Sequence, residues 1–289
     1  MRTLGHLLHF SKRILEKNEV RRSRQTAEEI LSGVFHLPRV ELYLYFDRPV
    51  LSAEWQLCQK LLDRKISGEP LEHLLKVIHF FHCKIEVDSQ ALIPRQETEI
   101  MLQKVCSLIS KLKSLEIKAW DLCTGTGCLG LALKCRFPSI DVTLSDLSPH
   151  CTALARRNAE RNSLTVSILE GDLLEPFEGQ KADIILCNPP YISDADYQKL
   201  DRSVFDFEPK MALVGGVTGL EFYEKLASDL PSFLNEGAFI FLEIGYDQGE
   251  ALLELFSAAC WSEKDLSKDW SGHDRFLFMR FTKDLPCSV

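Results

Sequence analysis

The residues best suited to chemistry are Asn188-Pro189-Pro190-Tyr191. They close a short apolar run, Ala182-Asp183-Ile184-Ile185-Leu186-Cys187, which reads as a buried strand. Neither proline has an N–H to donate, so the pair ends the sheet ladder. Pro189 also pushes Asn188 towards an extended backbone. The result is a stiff strand end that offers one side-chain amide, carbonyls on a ring-locked backbone, and an aromatic ring. Such a device suits a planar –NH2 group, because two fixed acceptors can take both of its N–H bonds. An ordinary strand-terminating turn uses the same residues, and the rest of the sequence decides between the two.

Two other strand ends bear on that choice. Asp121-Leu122-Cys123-Thr124-Gly125-Thr126-Gly127 is a strand end followed by a tight loop, and its glycines let backbone approach a ligand closely. Asp146 tips the next strand, at the offset where a carboxylate accepts both hydroxyls of a ribose. Gly125 to Gly130 also fits the dinucleotide pattern GxGxxG, so a nicotinamide-dependent dehydrogenase accounts for these two features. It does not account for the third, since a dehydrogenase needs a proton donor and a hydride path that Asn188 to Tyr191 do not supply. A methyl transfer to an amide or exocyclic amine uses all three, which favours S-adenosylmethionine as the ligand. The Asn188 side-chain oxygen and the Pro189 carbonyl would then hold the acceptor nitrogen towards the sulfonium methyl. Tyr191 would wall the slot.

The elements that must position these residues follow from periodicity. Residues 1–76 read as four or five short helices in a small bundle, with Pro38 at a helix start and Ser52 as an N-cap. Residues 77–93 turn β-rich and read as a linking hairpin. From 94 to 289 strands alternate with helices, which predicts an α/β domain with a mostly parallel, doubly wound sheet. Its strands fall at Ile117–Cys123, Asp141–Asp146, Thr165–Glu170, Ala182–Cys187, Ala238–Ile244 and Arg275–Phe281.

Composition excludes several classes. Residues 1–80 hold 13 Lys and Arg against 10 Asp and Glu, and the remainder 21 against 32, so the α/β part is strongly acidic. That disfavours stable nucleic-acid binding, which rests on phosphate neutralisation. No stretch approaches a membrane span. The acids Glu16, Glu19, Glu28 and Glu29 argue against a mitochondrial presequence. Ten scattered cysteines without a CxxC pair fit a reducing cytoplasm and predict no metal site. Cys123, Cys128 and Cys187 read as small side chains beside the ligand loop, and His73, His79 and His82 as structural histidines.

The chain resembles the PrmC/HemK protein-glutamine methyltransferases over nearly its whole length. Carrying the likeness are Gly68-Glu-Pro-Leu71, Leu92-Ile-Pro-Arg-Gln-Glu-Thr-Glu99, Asp121 to Gly127, Asn188-Pro-Pro-Tyr-Ile192 and Phe207-Glu-Pro209. Gly215-Gly-Val-Thr-Gly-Leu220, Leu242-Glu-Ile-Gly245 and Asp269-Trp-Ser-Gly-His-Asp-Arg275 continue it. The resemblance implies a class I S-adenosylmethionine-dependent fold with an antiparallel last strand. It implies methylation of the glutamine amide in the Gly-Gly-Gln motif of class-1 peptide chain release factors, and a monomer in the cytoplasm is expected. It implies that Cys123, Thr124, Gly125, Thr126 and Gly127 cradle the methionine part of the cofactor, that Asp146 binds its ribose, and that Asp172 and Leu173 lie near its adenine. Asn188, Pro189, Pro190 and Tyr191 would hold the substrate glutamine, and the helical bundle would help dock the release factor. Cys123 stands where the family usually has Gly, Gln96-Glu97 where it has Pro-Asp, and Leu173 where an aromatic residue often stacks. Asn-Pro-Pro-Tyr alone also serves adenine-N6 and guanine-N2 methyltransferases, so a nucleic-acid enzyme is the rival reading and a non-catalytic scaffold a third. Arg95 and Glu97 read equally as a lid or a structural ion pair. Glu243 reads as facing the site or capping a helix, and Trp261, Trp270 and Asp274-Arg275 as packing.

Overall fold

The structure, a computed structural model, describes residues 2–112, 116–283 and 285–287. The chain divides into two compact units, Met1–Val77 with Asp201–Phe207, and Ile78–Leu200 with Glu208–Val289.

The first unit contains α1 (Leu4–Lys17), α2 (Ser23–Phe35), α3 (Ser52–Ile66) and α4 (Leu71–Leu75), with a 3-10 turn over Arg39–Tyr43. Apolar residues at helical spacing make its core: Leu4, Leu7, Leu8 and Leu15 meet Ile30, Leu31, Leu42 and Leu62. Each such side chain, fully buried, stabilises by about 1.5–3 kcal/mol. Pro38 precedes the 3-10 turn. Ser52, expected as an N-cap, is instead the first residue of α3. Leu51 takes the cap position, and its N–H donates to Glu54 Oε2 at 2.8 Å.

The second unit opens with the hairpin of β1 (Val77–Phe80) and β2 (Cys83–Glu86). In chain order follow α5 (Gln96–Ile109), β3 (Lys118–Leu122), α6 (Cys128–Arg136), β4 (Asp141–Asp146), α7 (Pro149–Arg161), β5 (Ser167–Glu170) and β6 (Ala182–Cys187). Next come β7 (Ile192–Ser193), α8 (Asp194–Tyr197), α9 (Arg202–Phe205, within the first unit), β8 (Val214–Gly216), α10 (Glu221–Phe233) and β9 (Leu234–Glu243). The last elements are α11 (Gly249–Leu255), β10 (Trp261–Lys268) and β11 (Asp274–Phe281). The main sheet runs β10-β11-β9-β6-β3-β4-β5. Its five central and right-hand strands, β9 to β5, pair in parallel, and β11 and β10 are antiparallel, as expected of the last strand. The edge strand β10 was not expected from the sequence.

Alternate residues of each strand bury on opposite faces. Ala119, Leu144, Ile184 and Leu186 face the cluster built with Met101, Leu102, Leu129 and Leu133. Trp120, Leu122, Ile185 and Cys187 face Tyr223, Leu226, Leu230 and Leu252. Central strands buried on both faces account for the near-continuous apolar runs. From β3 the chain winds outwards through β4 and β5, then crosses to β6 on the other side. That reversal puts the crevice outside the carboxyl ends of β3, β4 and β6, where open α/β sheets take ligands.

Candidate active site

The loop after β3 is built by short hydrogen bonds. Thr124 N–H donates to the Ser145 carbonyl at 3.0 Å and Gly127 N–H to the Thr124 carbonyl at 2.8 Å. Thr124 Oγ1 and the Gly130 N–H both donate to Asp121 Oδ2, at 2.6 and 2.8 Å. Asn158, fully buried on α7, donates to the Thr126 carbonyl at 2.9 Å and to the Glu86 carbonyl at 3.0 Å, and accepts from Glu86 N–H. The hairpin, α7 and the loop are thereby joined through one amide. Gly125 has φ +55 and open space where a Cβ would stand, so the loop leaves room there for a ligand against bare backbone. Cys123 adopts φ 53 and Leu173 φ 46. The first is a left-handed backbone at the position where the resembling family carries glycine.

Asp146 is oriented by two amides, Gly125 N–H to Oδ2 at 2.8 Å and Ser148 N–H to Oδ1 at 2.9 Å. The Cys151 thiol also bonds this carboxylate. Burial raises the carboxyl above its ordinary value, against the lowering effect of these three bonds. Asp121, fully enclosed, is pushed by burial up to about 7.

Cys123, Gly125, Asp146, Asp172, Leu173, Asn188 and Pro190 line one cavity at this crevice. Gln90, Leu92, Leu147, Cys151, Gly171, Pro209, Met211, Ala212 and Phe222 complete its walls, none of them expected as a site residue. Thr124, Thr126, Gly127, Pro189 and Tyr191 do not line it. The first three shape the loop from behind. Asp172 accepts from Lys225 Nζ at 2.8 Å.

The Asn188–Tyr191 segment is held from its far side. Ile192 N–H donates to the Leu213 carbonyl at 2.9 Å, and β7 pairs with β8. A Cβ on Gly215 would lie 2.4 Å from the Pro190 carbonyl oxygen, and one on Gly219 2.4 Å from that of Tyr191. Gln248 Nε2 donates to the Tyr191 carbonyl at 2.9 Å and to the Gly219 carbonyl at 3.1 Å, while its Oε1 accepts from Gly245 N–H at 2.8 Å. Arg275 Nη1 reaches the Tyr191 hydroxyl at 3.4 Å and the Ile244 carbonyl at 3.1 Å, and its Nε stands 3.5 Å from Asp269. Arg275 is therefore a support of Tyr191 as well as a packing residue. Burial first, then the nearby Glu243 carboxylate, push the Tyr191 phenol up to about 12. Glu243 is buried, accepts from Thr98 Oγ1 at 2.8 Å, and is itself raised by burial to about 7. Arg95 pairs with the buried Glu208, whose other oxygen accepts from Ile93 N–H at 3.1 Å. Arg95 thus makes a structural ion pair. Among the described residues, neither the Asn188 side chain nor the Pro189 carbonyl takes a partner within the protein. Cys187 lies beneath this segment, its thiol pushed well above the ordinary value by burial and by the adjacent Cys123 thiol.

A cavity at the carboxyl ends of the parallel strands, with the unpartnered Asn188 amide in its wall, suits a transferase that acts on a polar acceptor group. Over 275 residues the chain is 34% identical to a release factor glutamine methyltransferase of Geobacter sulfurreducens, covering 95% of each chain. The chain belongs to the release factor glutamine methyltransferase family. A second member, from Chlamydia trachomatis serovar D, is 37% identical over 274 residues, 94% of this chain and 92% of its own. Within this family chain, residues 6–75 match the PrmC N-terminal domain and residues 104–206 the Methyltransferase small domain. A methyltransferase from Pyrococcus furiosus shares the fold, with a TM-score of 0.53, 19% identity, and coverage of 78% of this chain and 98% of that one. The family's class I methyltransferase sheet is the one described above. Among the described residues, no group of His, Cys, Asp and Glu could hold a metal ion, and no helix is long and apolar enough to cross a membrane.

Proposed function

We propose that this protein transfers the methyl group of S-adenosylmethionine to the side-chain amide nitrogen of the glutamine in the Gly-Gly-Gln motif of class-1 release factors. The observation that carries this reading is the unpartnered Asn188 side chain in the wall of a cavity that also holds Asp146 and Gly125, with the Pro189 carbonyl next to it in the chain. The cavity fits the donor. The open space at Gly125 admits its amino-acid part against bare backbone, the Asp146 carboxylate in the cavity wall suits ribose hydroxyls, and Leu147, Leu173 and Phe222 give apolar walls for an adenine.

S-adenosylmethionine supplies a methyl on a positively charged sulfur, so no strong base is needed to start the reaction. A carboxamide nitrogen is a poor nucleophile because its lone pair is delocalised into the carbonyl. Asn188 Oδ1 and the Pro189 carbonyl each accept one N–H and turn the nitrogen towards the methyl. Positive charge growing on the acceptor nitrogen as it takes the methyl would be stabilised by the same two oxygens, and the surplus proton would pass to solvent afterwards. Tyr191 closes one side of the slot. Donor cavity and acceptor segment come from one chain, consistent with a working monomer. Ten free cysteines suit a reducing compartment, here the cytoplasm.

The test is incubation with labelled donor and either purified release factor or nucleic acid. Label on the release factor glutamine supports the reading. Label confined to nucleic acid would replace it with the rival reading.

A further inference from the structure

Three loops bear, directly or through a hydrogen-bonded neighbour, on the contacts that hold Tyr191, and each carries one largely exposed residue with an apolar side chain or ring. The loop before α10 holds Val217, two residues before the Gly219 carbonyl that Gln248 binds. The loop after β9 holds Tyr246, two residues before Gln248 itself. The loop between β10 and β11 holds Trp270, next to the Asp269 that faces Arg275. Their exposures are 77%, 64% and 67%. The last two loops adjoin, for the Tyr246 and His273 rings meet edge-on with centroids 6.0 Å apart. The Trp270 loop is itself tied down, with Ser271 and His273 N–H groups donating to Asp269 Oδ1 at 2.8 and 3.1 Å.

None of the three lines the donor cavity, so cofactor binding does not explain them. None belongs to a core cluster. Two exposed aromatic side chains and an exposed valine, on loops that all bear on the Tyr191 contacts, mark a contact surface. Resting on the reading above, we infer that Val217, Tyr246 and Trp270 form an apolar rim that grips the substrate polypeptide on either side of the target glutamine. The occupant follows from continuity with the acceptor slot. A protein that inserts a glutamine between Asn188 and Tyr191 must lay its neighbouring backbone on the loops that hold Tyr191. Glycines beside that glutamine bring no side chains to fill pockets, so flat aromatic faces against peptide planes are the complementary surface. Because the loops bearing the rim also hold the Tyr191 carbonyl and hydroxyl, the substrate chain and the slot are aligned by one set of contacts.

The experiment uses the full chain and an intact class-1 release factor, with Trp270→Ser, Tyr246→Ser and the double variant. The double variant should raise KM for the release factor at least tenfold, with kcat within about twofold and donor affinity by calorimetry unchanged. An unchanged KM in the double variant would overturn the rim. So would a raised KM accompanied by an equal loss of donor affinity, since that reports a disturbed fold. If the unsubstituted protein methylates no release factor, the function itself fails, which is a separate outcome.

Discussion

Asn188 does what no neighbouring side chain can, since it brings a free amide oxygen to the edge of the donor cavity. Asn188→Ala should lower kcat by about 10²-fold or more, the size of losing one preorganised transition-state contact. Because the side chain has no partner among the described residues, folding stability and donor affinity should hardly change. Melting curves and calorimetry beside the assay check this. Asp146 predicts a pH effect. Its carboxyl is raised by burial, and only the carboxylate can accept from two hydroxyls. Donor affinity should fall on acidification, beginning above the ordinary carboxylate range. In Asp146→Asn affinity should drop by about tenfold or more and lose that pH dependence, as calorimetry across pH would show. That Asn188, Asp146 and Gly125 meet at one cavity was legible in the sequence because each stands at or just after the end of its own strand. Gln248, Arg275 and Asn158 were not, for they reach partners 57, 84 and 32 residues away. No local pattern encodes contacts of that separation, although the Gly245-Tyr-Asp-Gln248 run and Arg275 lay in or beside quoted motifs.

At the scale of elements, the acceptor segment owes its rigidity to a shelf of glycines as well as to its prolines. Gly219 has φ +81 and no room for a Cβ beside the Tyr191 carbonyl. Gly219→Ala should cost about 1–3 kcal/mol of stability and reduce kcat more than donor affinity. Thermal melts with paired kinetic and binding measurements check it, and an unaltered kcat would show that the shelf does not position the slot. The parallel central strands were readable as apolar runs because both of their faces are buried. Strand β10 was not. Trp261 to Lys268 is an edge strand of mostly polar residues, with register breaks after Ser262 and Ser267 and a left-handed Glu263 at φ 48. Bulges and one-sided exposure erase the alternation that betrays a strand. The Asp201–Phe207 segment, which joins the first unit from within the second unit's sequence, is likewise set by tertiary contacts and not by local pattern.

For the whole molecule, two buried carboxyls near the site shape stability. Asp121 and Glu243 are each raised to about 7 by burial. A carboxyl raised on folding favours the folded state below its unfolded value, and that contribution is lost as pH rises through about 7. Asp121→Asn keeps the acceptor, because Thr124 and Gly130 both donate to one oxygen. Between about pH 5 and about pH 8 the unsubstituted protein should therefore lose more stability than this variant, by denaturant titration. The chain has two units, a helical one and an α/β one, each with its own core. The central claim is that the α/β unit's acceptor pair methylates a protein glutamine. The most direct test is mass spectrometry of the release factor's Gly-Gly-Gln peptide after a single turnover with the intact protein and with Asn188→Ala. One methyl on the glutamine side-chain nitrogen with the former, and almost none with the latter, is the predicted result. An unmodified glutamine with the intact protein, or equal methylation by both, would contradict it.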